Sequence, residues 1–366
     1  MRVEIVIYIY GAVCVSMVIF NILYNLVLMN GEKRMEWKRE QYYQEIEMQI
    51  QRIHKGEDID IRHEKMLRRK LAHAGGAMAF DRAMEKILEI NKDTGMTYLD
   101  QIQPVFLELA LKYHRKDSMH KAYFAFILSK YKVRKRMAMD AVSEIMLDYI
   151  KKENLYCRVN ALSALYAFGH PFYIAKAVHI QDEREEFLNE KILTEGLMSF
   201  DGDHNMLISI LWDEMGGFSD RTQLAVINYI RFQSGSYGAE MLQIASDTLR
   251  GKEVRLSAMR YFGKYYYYPA QVFLLELLDN STQEDWEYAV VSASALGNYH
   301  DPKSTEALKR ALYSSNWYIR RNAAESLIAH HPPFKELTDI INGPDRYARE
   351  ILIYQLESEE LKEKDR

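Results

Sequence analysis

Cysteine and proline are both scarce in this 366-residue chain. Cys14 and Cys157 cannot make a disulfide framework, because one lies in an apolar run and the other in a helical pattern; a reducing compartment fits. The seven prolines begin only at Pro104, so the first hundred residues are free to run as long helices. The phosphate loop G-x-x-x-x-G-K-[ST], the nucleophile elbow G-x-S-x-G and the zinc motif H-E-x-x-H are all missing. That removes the usual sequence routes to phosphoryl transfer, acyl transfer and zinc hydrolysis. Charge, finally, is absent from residues 5–29.

Those twenty-five uncharged positions predict one membrane-spanning helix. A helix rises about 1.5 Å per residue against a hydrocarbon core of about 30 Å, so roughly 20 apolar residues suffice. A cleaved secretory signal would need a basic start, a shorter apolar run and small residues at the cut, and none is present. Lys33, Arg34, Lys38 and Arg39 come after the span, whereas Arg2 before it is offset by Glu4. The positive-inside rule therefore predicts a single-pass plasma-membrane protein, N-terminus outside and bulk in the cytoplasm. Gly11, Cys14, Val18, Asn21 and Asn25 fall at steps of three and four, on one helical face. That face suits packing against another transmembrane helix, or else the asparagines are wetted by headgroups.

Beyond the span lies a helical body with 27% charged and 48% hydrophobic residues in the chain as a whole, ample for a large core. Its charge is uneven: residues 31–160 carry 26 Lys and Arg against 20 Asp and Glu, and residues 161–366 carry 21 against 31. Arg68, Arg69 and Lys70, with Arg134, Lys135 and Arg136, make two basic clusters in the near part. They suit an anionic lipid surface, or equally a solvated helix face with acids interleaved. Residues 31–56 read as a juxtamembrane helical stalk with Tyr42, Ile46 and Ile53 at heptad-like spacing. Residues 60–114 read as a helical connecting or capping region, with a long helix over 61–90 kinked or closely approached at Gly75 and Gly76.

After residue 115 a motif recurs: apolar, Arg, two variable, Ala, small, variable, small, Leu. The clearest copies are CRVNALSAL from Cys157, VRLSAMRYF from Val254, YAVVSASAL from Tyr288 and IRRNAAESL from Ile319, with weaker ones from Met119, Asn189 and Arg221. Their spacings are 38, 32, 32, 33, 34 and 31. Turn signals agree independently. Pro171, Pro269, Pro302 and Pro332 come 14, 15, 14 and 13 residues after their motif starts, with Gly202-Asp203 and Ser234-Gly235 at matching offsets in weaker copies. A helix, a breaker, a second helix and a second breaker describe a helical hairpin stacked in register.

With the segments from Val254 and Ile319 and the turn His300-Asp301-Pro302, residues 115–350 resemble HEAT repeats of the short bacterial kind. The resemblance implies an all-α fold: a right-handed α-solenoid of HEAT-like hairpins behind the transmembrane helix and stalk, with residues 351–366 a charged helix end or tail. It implies a groove that binds proteins and no particular chemistry. Arg158, Arg255 and Arg320, at the second motif position, are expected to tie adjacent repeats to acidic or carbonyl partners. The arginine is missing from the copies at Tyr288, Asn189 and Arg221.

Apparent catalytic elements have structural explanations. The pair His300-Asp301 has the form found in metal phosphohydrolases, but it sits at a repeat turn where Asp301 caps the next helix. Ser118 and Lys121 match S-x-x-K without its companion motifs. Asp201, Asp203 and His204 lack the length and the terminal Glu of a calcium loop. No catalytic residue, cofactor or metal is expected. The 26 tyrosines include four in a row, residues 265–268, of which at least one or two must be exposed. Tyr265, Trp286, Trp317 and Arg320 are candidate partner contacts, the alternative being packing between repeats.

These features predict a noncatalytic, membrane-anchored scaffold holding a protein partner at the membrane. A membrane protein or enzyme complex, such as a polysaccharide-synthesis glycosyltransferase, is the kind of partner expected. The alternative is a lyase-type enzyme, because some HEAT-like proteins resemble phycobilin lyases; Cys157 would be the thiol. Nucleic acid is not expected on a half this acidic.

Overall fold

The computed structural model of the chain describes residues 3–132, 139–184, 188–280 and 284–364. They fold as twenty α-helices and one 3-10 turn at Met215–Gly217, with no strand among the described residues. Two units divide the chain, Met1–Ala177 and Val178–Arg366.

In the first unit α1 (Val3–His54) is one unbroken helix of 52 residues. From Tyr8 its N-terminal part is exposed, and it is the one helix among the described residues long and apolar enough to cross a membrane. Its C-terminal part is different. Tyr42, Ile46, Gln49 and Ile50 are buried where α1 packs on α3 (Ala74–Ile90) and α4 (Lys92–Gln101). Phe80 is the hub of this core, with edge-on contacts to Tyr42, Phe106 and Tyr131 at 6.0, 6.3 and 6.4 Å.

The long helix expected over 61–90 is instead two: α2 (Ile61–Lys70) and α3. The Leu71 carbonyl freed at the break accepts from the Tyr113 hydroxyl at 2.7 Å, so the interruption leaves no orphan acceptor there. Gly76 is the point of close approach: a Cβ there would lie 2.0 Å from the Lys70 carbonyl oxygen and 3.3 Å from the Tyr42 hydroxyl. The remaining helices are α5 (Gln103–Tyr113), α6 (Ser118–Lys130), α7 (Met139–Lys152), α8 (Leu155–Phe168) and α9 (Pro171–Asp182), the last running across the boundary. Side-chain oxygens start several of them: Asp117 accepts from the Met119 and His120 amides, and Asn154 from that of Cys157.

The second unit holds α10 (Glu190–Met198), α11 (His204–Asp213), α12 (Asp220–Gln233), α13 (Gly238–Ser246), α14 (Lys252–Tyr261), α15 (Tyr268–Asp279), α16 (Trp286–Leu296), α17 (Pro302–Ala311), α18 (Trp317–Ala329), α19 (Phe334–Ile341) and α20 (Arg346–Lys364). The repeated motif falls on α10, α12, α14, α16 and α18, and each packs on the next. A second layer of α13, α15 and α17 stacks behind them, and the final motif-layer contact is α18 on α20. The boundary expected at 350 falls inside α20, whose Ala348 and Leu352 are fully buried.

Side chains at the ends of motif helices tie each hairpin to the one before. The Tyr261 hydroxyl accepts from the Tyr237 amide (3.0 Å), and the Tyr299 hydroxyl donates to the Tyr267 carbonyl (3.0 Å). Tyr229 is hydrogen-bonded to His204 Nδ1 at 2.7 Å. A buried phenol needs a partner, and the stack supplies one for each of these three repeats.

Candidate functional site

Trp286 opens α16 and Trp317 opens α18, each just after an N-terminal cap position. The Asn316 side chain accepts from the Tyr318 amide at 2.8 Å, which starts α18 cleanly and fixes the direction of its first turn. The Trp286 and Tyr318 rings then stack at 5.3 Å, Tyr318 meets Trp317 edge-on at 5.1 Å, and the Arg321 guanidinium lies 5.4 Å from the Trp317 ring. Trp317 and Tyr318 remain about half exposed, at 47% and 53%. The result is a ladder of rings across two repeats, with an arginine on top.

The other two sequence candidates sit elsewhere. Arg320 is turned inward: its Nη1 donates to the carbonyls of Ser314 (2.6 Å) and Ser315 (3.1 Å), and its guanidinium lies 5.2 Å from the Tyr347 ring of α20. Tyr265 is half-buried, 4.9 Å from the Tyr261 ring and against Gly235. Both join one repeat to another. In the tyrosine run Tyr266 and Tyr268 are the exposed members, at 60% and 66%.

Gly11, Cys14, Val18, Asn21 and Asn25 are exposed along α1. Of the basic clusters, Arg68 pairs with Glu64 (2.9 Å) and Glu108 (3.2 Å), Lys70 lies 5.5 Å from the Tyr42 ring, and Arg69 is exposed. Arg134, Lys135 and Arg136 lie outside the described residues.

The residues weighed for chemistry are held structurally. Ser118 donates to Glu153, and Lys121 Nζ meets the same carboxylate at 2.5 Å, so both are held by one glutamate that joins α6 to α7 and the following turn. Asp301 caps α17 through the amides of Lys303 (2.9 Å) and Ser304 (3.3 Å). Asp203 caps α11 through the Met206 amide at 3.1 Å. Cys157 is fully buried, and burial, with the charge of Glu153, pushes its thiol pKa up to about 12. A thiol in that state supplies almost no thiolate at neutral pH. Among the described residues no group of three or more His, Cys, Asp or Glu is placed to hold a metal ion.

A further feature is carried by no sequence motif. A cavity of about 500 Å³ opens between α12, α14, α16 and α18, and three cations line it: Arg231, Arg260 and Lys264. Lys264 Nζ donates to the Phe232 carbonyl (3.0 Å), and the Arg231 guanidinium lies 4.9 Å from the Phe232 ring. Burial, and then the charge of Arg260, lower the Arg231 pKa. The signal for it lies in register. Arg231 and Lys264 both stand ten residues after their motif starts, at Arg221 and Val254, so stacking brings them together.

A family model described as HEAT repeats matches residues 271–357, which run from α15 into α20. These repeats are HEAT-like. No curated protein matches the chain. Among solved structures, human deoxyhypusine hydroxylase in complex with glycerol aligns at 16% identity, covering 81% of this chain and 95% of that one, with a TM-score of 0.28. Neither fold detail nor activity is carried over from a likeness of that degree.

Proposed function

We propose that this chain is a membrane-anchored, noncatalytic scaffold. Its α1 crosses the plasma membrane once, with the N-terminus outside, and its HEAT-like repeats, a right-handed solenoid, hold a protein partner on the cytoplasmic side. The partner class is a membrane protein or membrane enzyme complex, a glycosyltransferase being one example. The observation that carries this reading is the ladder of Trp286, Tyr318, Trp317 and Arg321 across α16 and α18, in which Trp286 is partly buried and the other three are exposed. Tryptophan, tyrosine and arginine are the residues that dominate binding energy at protein interfaces. Packing between repeats explains Arg320 and Tyr265, but it does not require rings left half exposed.

The exposed part of α1 supports the anchor, and Arg320 and Arg255, bonded to the carbonyls of Ser314 and Ala245, support a stack that serves as a rigid surface. An interface of this kind needs no catalytic group. The lyase reading asks for a usable thiol, and a fully buried Cys157 with a raised pKa does not supply one. Affinity capture of the full-length chain from detergent tests the scaffold: a stoichiometric partner is expected, and Trp286→Ala with Trp317→Ala should release it. Recovery of no stoichiometric protein with the wild-type chain would sink the reading.

A further inference from the structure

The cavity between α12, α14, α16 and α18 is basic inside a unit that is acidic overall. Residues 178–366 carry 31 acids against 20 bases, yet no acidic residue lines this cavity. Among the described residues no carboxylate lies within ion-pair distance of Arg231, Arg260 or Lys264, although salt bridges are frequent elsewhere in the unit. Arg231 is half-buried while Arg260 and Lys264 stand exposed at the rim, so three cations meet with no carboxylate beside them, an arrangement that suits an anionic ligand.

The cavity is not isolated. On one side it shares Arg231 and Phe232 with a second depression of about 550 Å³, whose lining includes Glu190, Lys191, Glu195 and Met198 of α10. On the other side its wall residues Val290 and Asn322 stand one helical turn from Trp286 and Tyr318, so the aromatic ladder borders it. Helices pack at about 8–10 Å, so the four spacings between the five motif helices from α10 to α18 span roughly 32–40 Å. A point anion fills little of that length. An extended peptide, at about 3.3 Å per residue, covers it with about ten residues.

We propose that this row is a docking site for an acidic peptide segment of the partner. Carboxylates would face Arg231, Arg260 and Lys264, an apolar or aromatic residue would sit on the Trp286–Tyr318 ladder, and an uncharged or basic residue would lie toward Glu190 and Glu195. The proposal deepens the scaffold reading and rests on it. A nucleic-acid strand is disfavoured, because continuous phosphates along the same row meet Glu190 and Glu195 there, with Lys191 the one cation of α10 in that lining and already 3.9 Å from Glu195.

The test uses the full-length chain in detergent micelles and fluorescence anisotropy. Three labelled probes are compared: a peptide of about ten residues with glutamates and one tryptophan, matched in length to the row; its counterpart with glutamine for every glutamate; and a single-stranded RNA of equal charge. The glutamate peptide should bind, with affinity falling as salt rises, and the glutamine peptide should not. Arg260→Glu and Lys264→Glu, both at exposed positions, should each weaken binding about tenfold or more, the size expected for losing a charge-assisted bond. Lys335→Glu on α19, outside the cavity, should leave it unchanged. Equal binding of the two peptides, tighter binding of the RNA, or no effect of Arg260→Glu in a chain with a wild-type melting curve overturns the proposal. Its failure is distinguishable from that of the scaffold reading. If a partner is captured in a way insensitive to Arg260→Glu, the scaffold stands and this site falls.

Discussion

His63 shows how burial sets chemistry at a single residue. It is 4% exposed, with Nε2 hydrogen-bonded to the Tyr98 hydroxyl at 2.7 Å and Nδ1 3.9 Å from Glu45. Burial pushes its pKa down from 6.5 to about 4; the charge of Asp60 works against that shift, and Lys70 adds to it. The folded pKa thus lies below the unfolded one, so the unfolded chain takes up the proton first as pH falls. Stability from the neutral ring is complete above pH 6.5 and is lost on the way down to pH 4, to the extent of about 3 kcal/mol for a shift of this size. Melting curves at pH 7 and pH 4.5 should therefore separate more for the wild type than for His63→Gln. Equal separation in the two proteins would mean that His63 is not the titrating group. Nothing in the sequence around His63 announces this, because burial comes from Tyr98, thirty-five residues away.

Among helices, the motif is legible because stacking repeats its requirements: a small residue where helices meet, a breaker where the chain reverses, an arginine where one hairpin meets the next. Arg255 illustrates the last. Its Nε donates to the Ala245 carbonyl at the end of α13 (3.0 Å), its Nη1 donates to the Tyr288 hydroxyl on α16 (3.1 Å), and the guanidinium lies 4.7 Å from that ring. Arg349 reaches the Gly343 carbonyl at 3.2 Å in the same manner, in a repeat that composition alone cuts at residue 350. The cut is misplaced because α20 ends in charged residues and its buried side, Ala348 and Leu352, is narrow. The candidate site divides along similar lines. Trp286 and Trp317 are conspicuous as aromatics at repeat starts, whereas the basic cavity depends on which cations the stacking register brings together. Arg255→Ala removes two hydrogen bonds from a charged donor, each worth about 1.5–3 kcal/mol, and should lower the urea midpoint measurably. Arg255→Lys should not restore it, because an ammonium cannot fork between a carbonyl and a phenol as a guanidinium does. Arg321→Ala, which loses a ring contact at an exposed position, should cost no more than about 1 kcal/mol. An Arg255→Ala midpoint equal to the wild type would remove the arginine from the account of how repeats are joined.

For the whole molecule the decisive element is α1, because it is two things at once without a break. Fifty-two residues at about 1.5 Å each make a rod of about 78 Å. One end is exposed and uncharged; the other is cemented into a core by Tyr42, Ile46 and Ile50. The uncharged run is plain in the sequence, and so is a charged helix continuing out of it as the stalk, across Asn30 and Gly31. They do not stop the helix, because apolar spacing resumes beyond them and burial of Tyr42 and Ile46 outweighs a cost of about 1 kcal/mol for one interior glycine. If the exposed end is a membrane span, the rest of the protein owes it no packing. A chain beginning at Gly31 should leave the membrane pellet for the supernatant and keep its melting temperature within a few degrees, because residues 8–25 of the apolar segment removed are all exposed. Fractionation of cells followed by thermal melts of the purified truncated chain measures both. Retention in the pellet would show that another surface holds the membrane, with exposed Arg69 the first to test. A large fall in melting temperature would show that the bare face of α1 is covered by protein, so that this helix belongs to a core rather than to a bilayer.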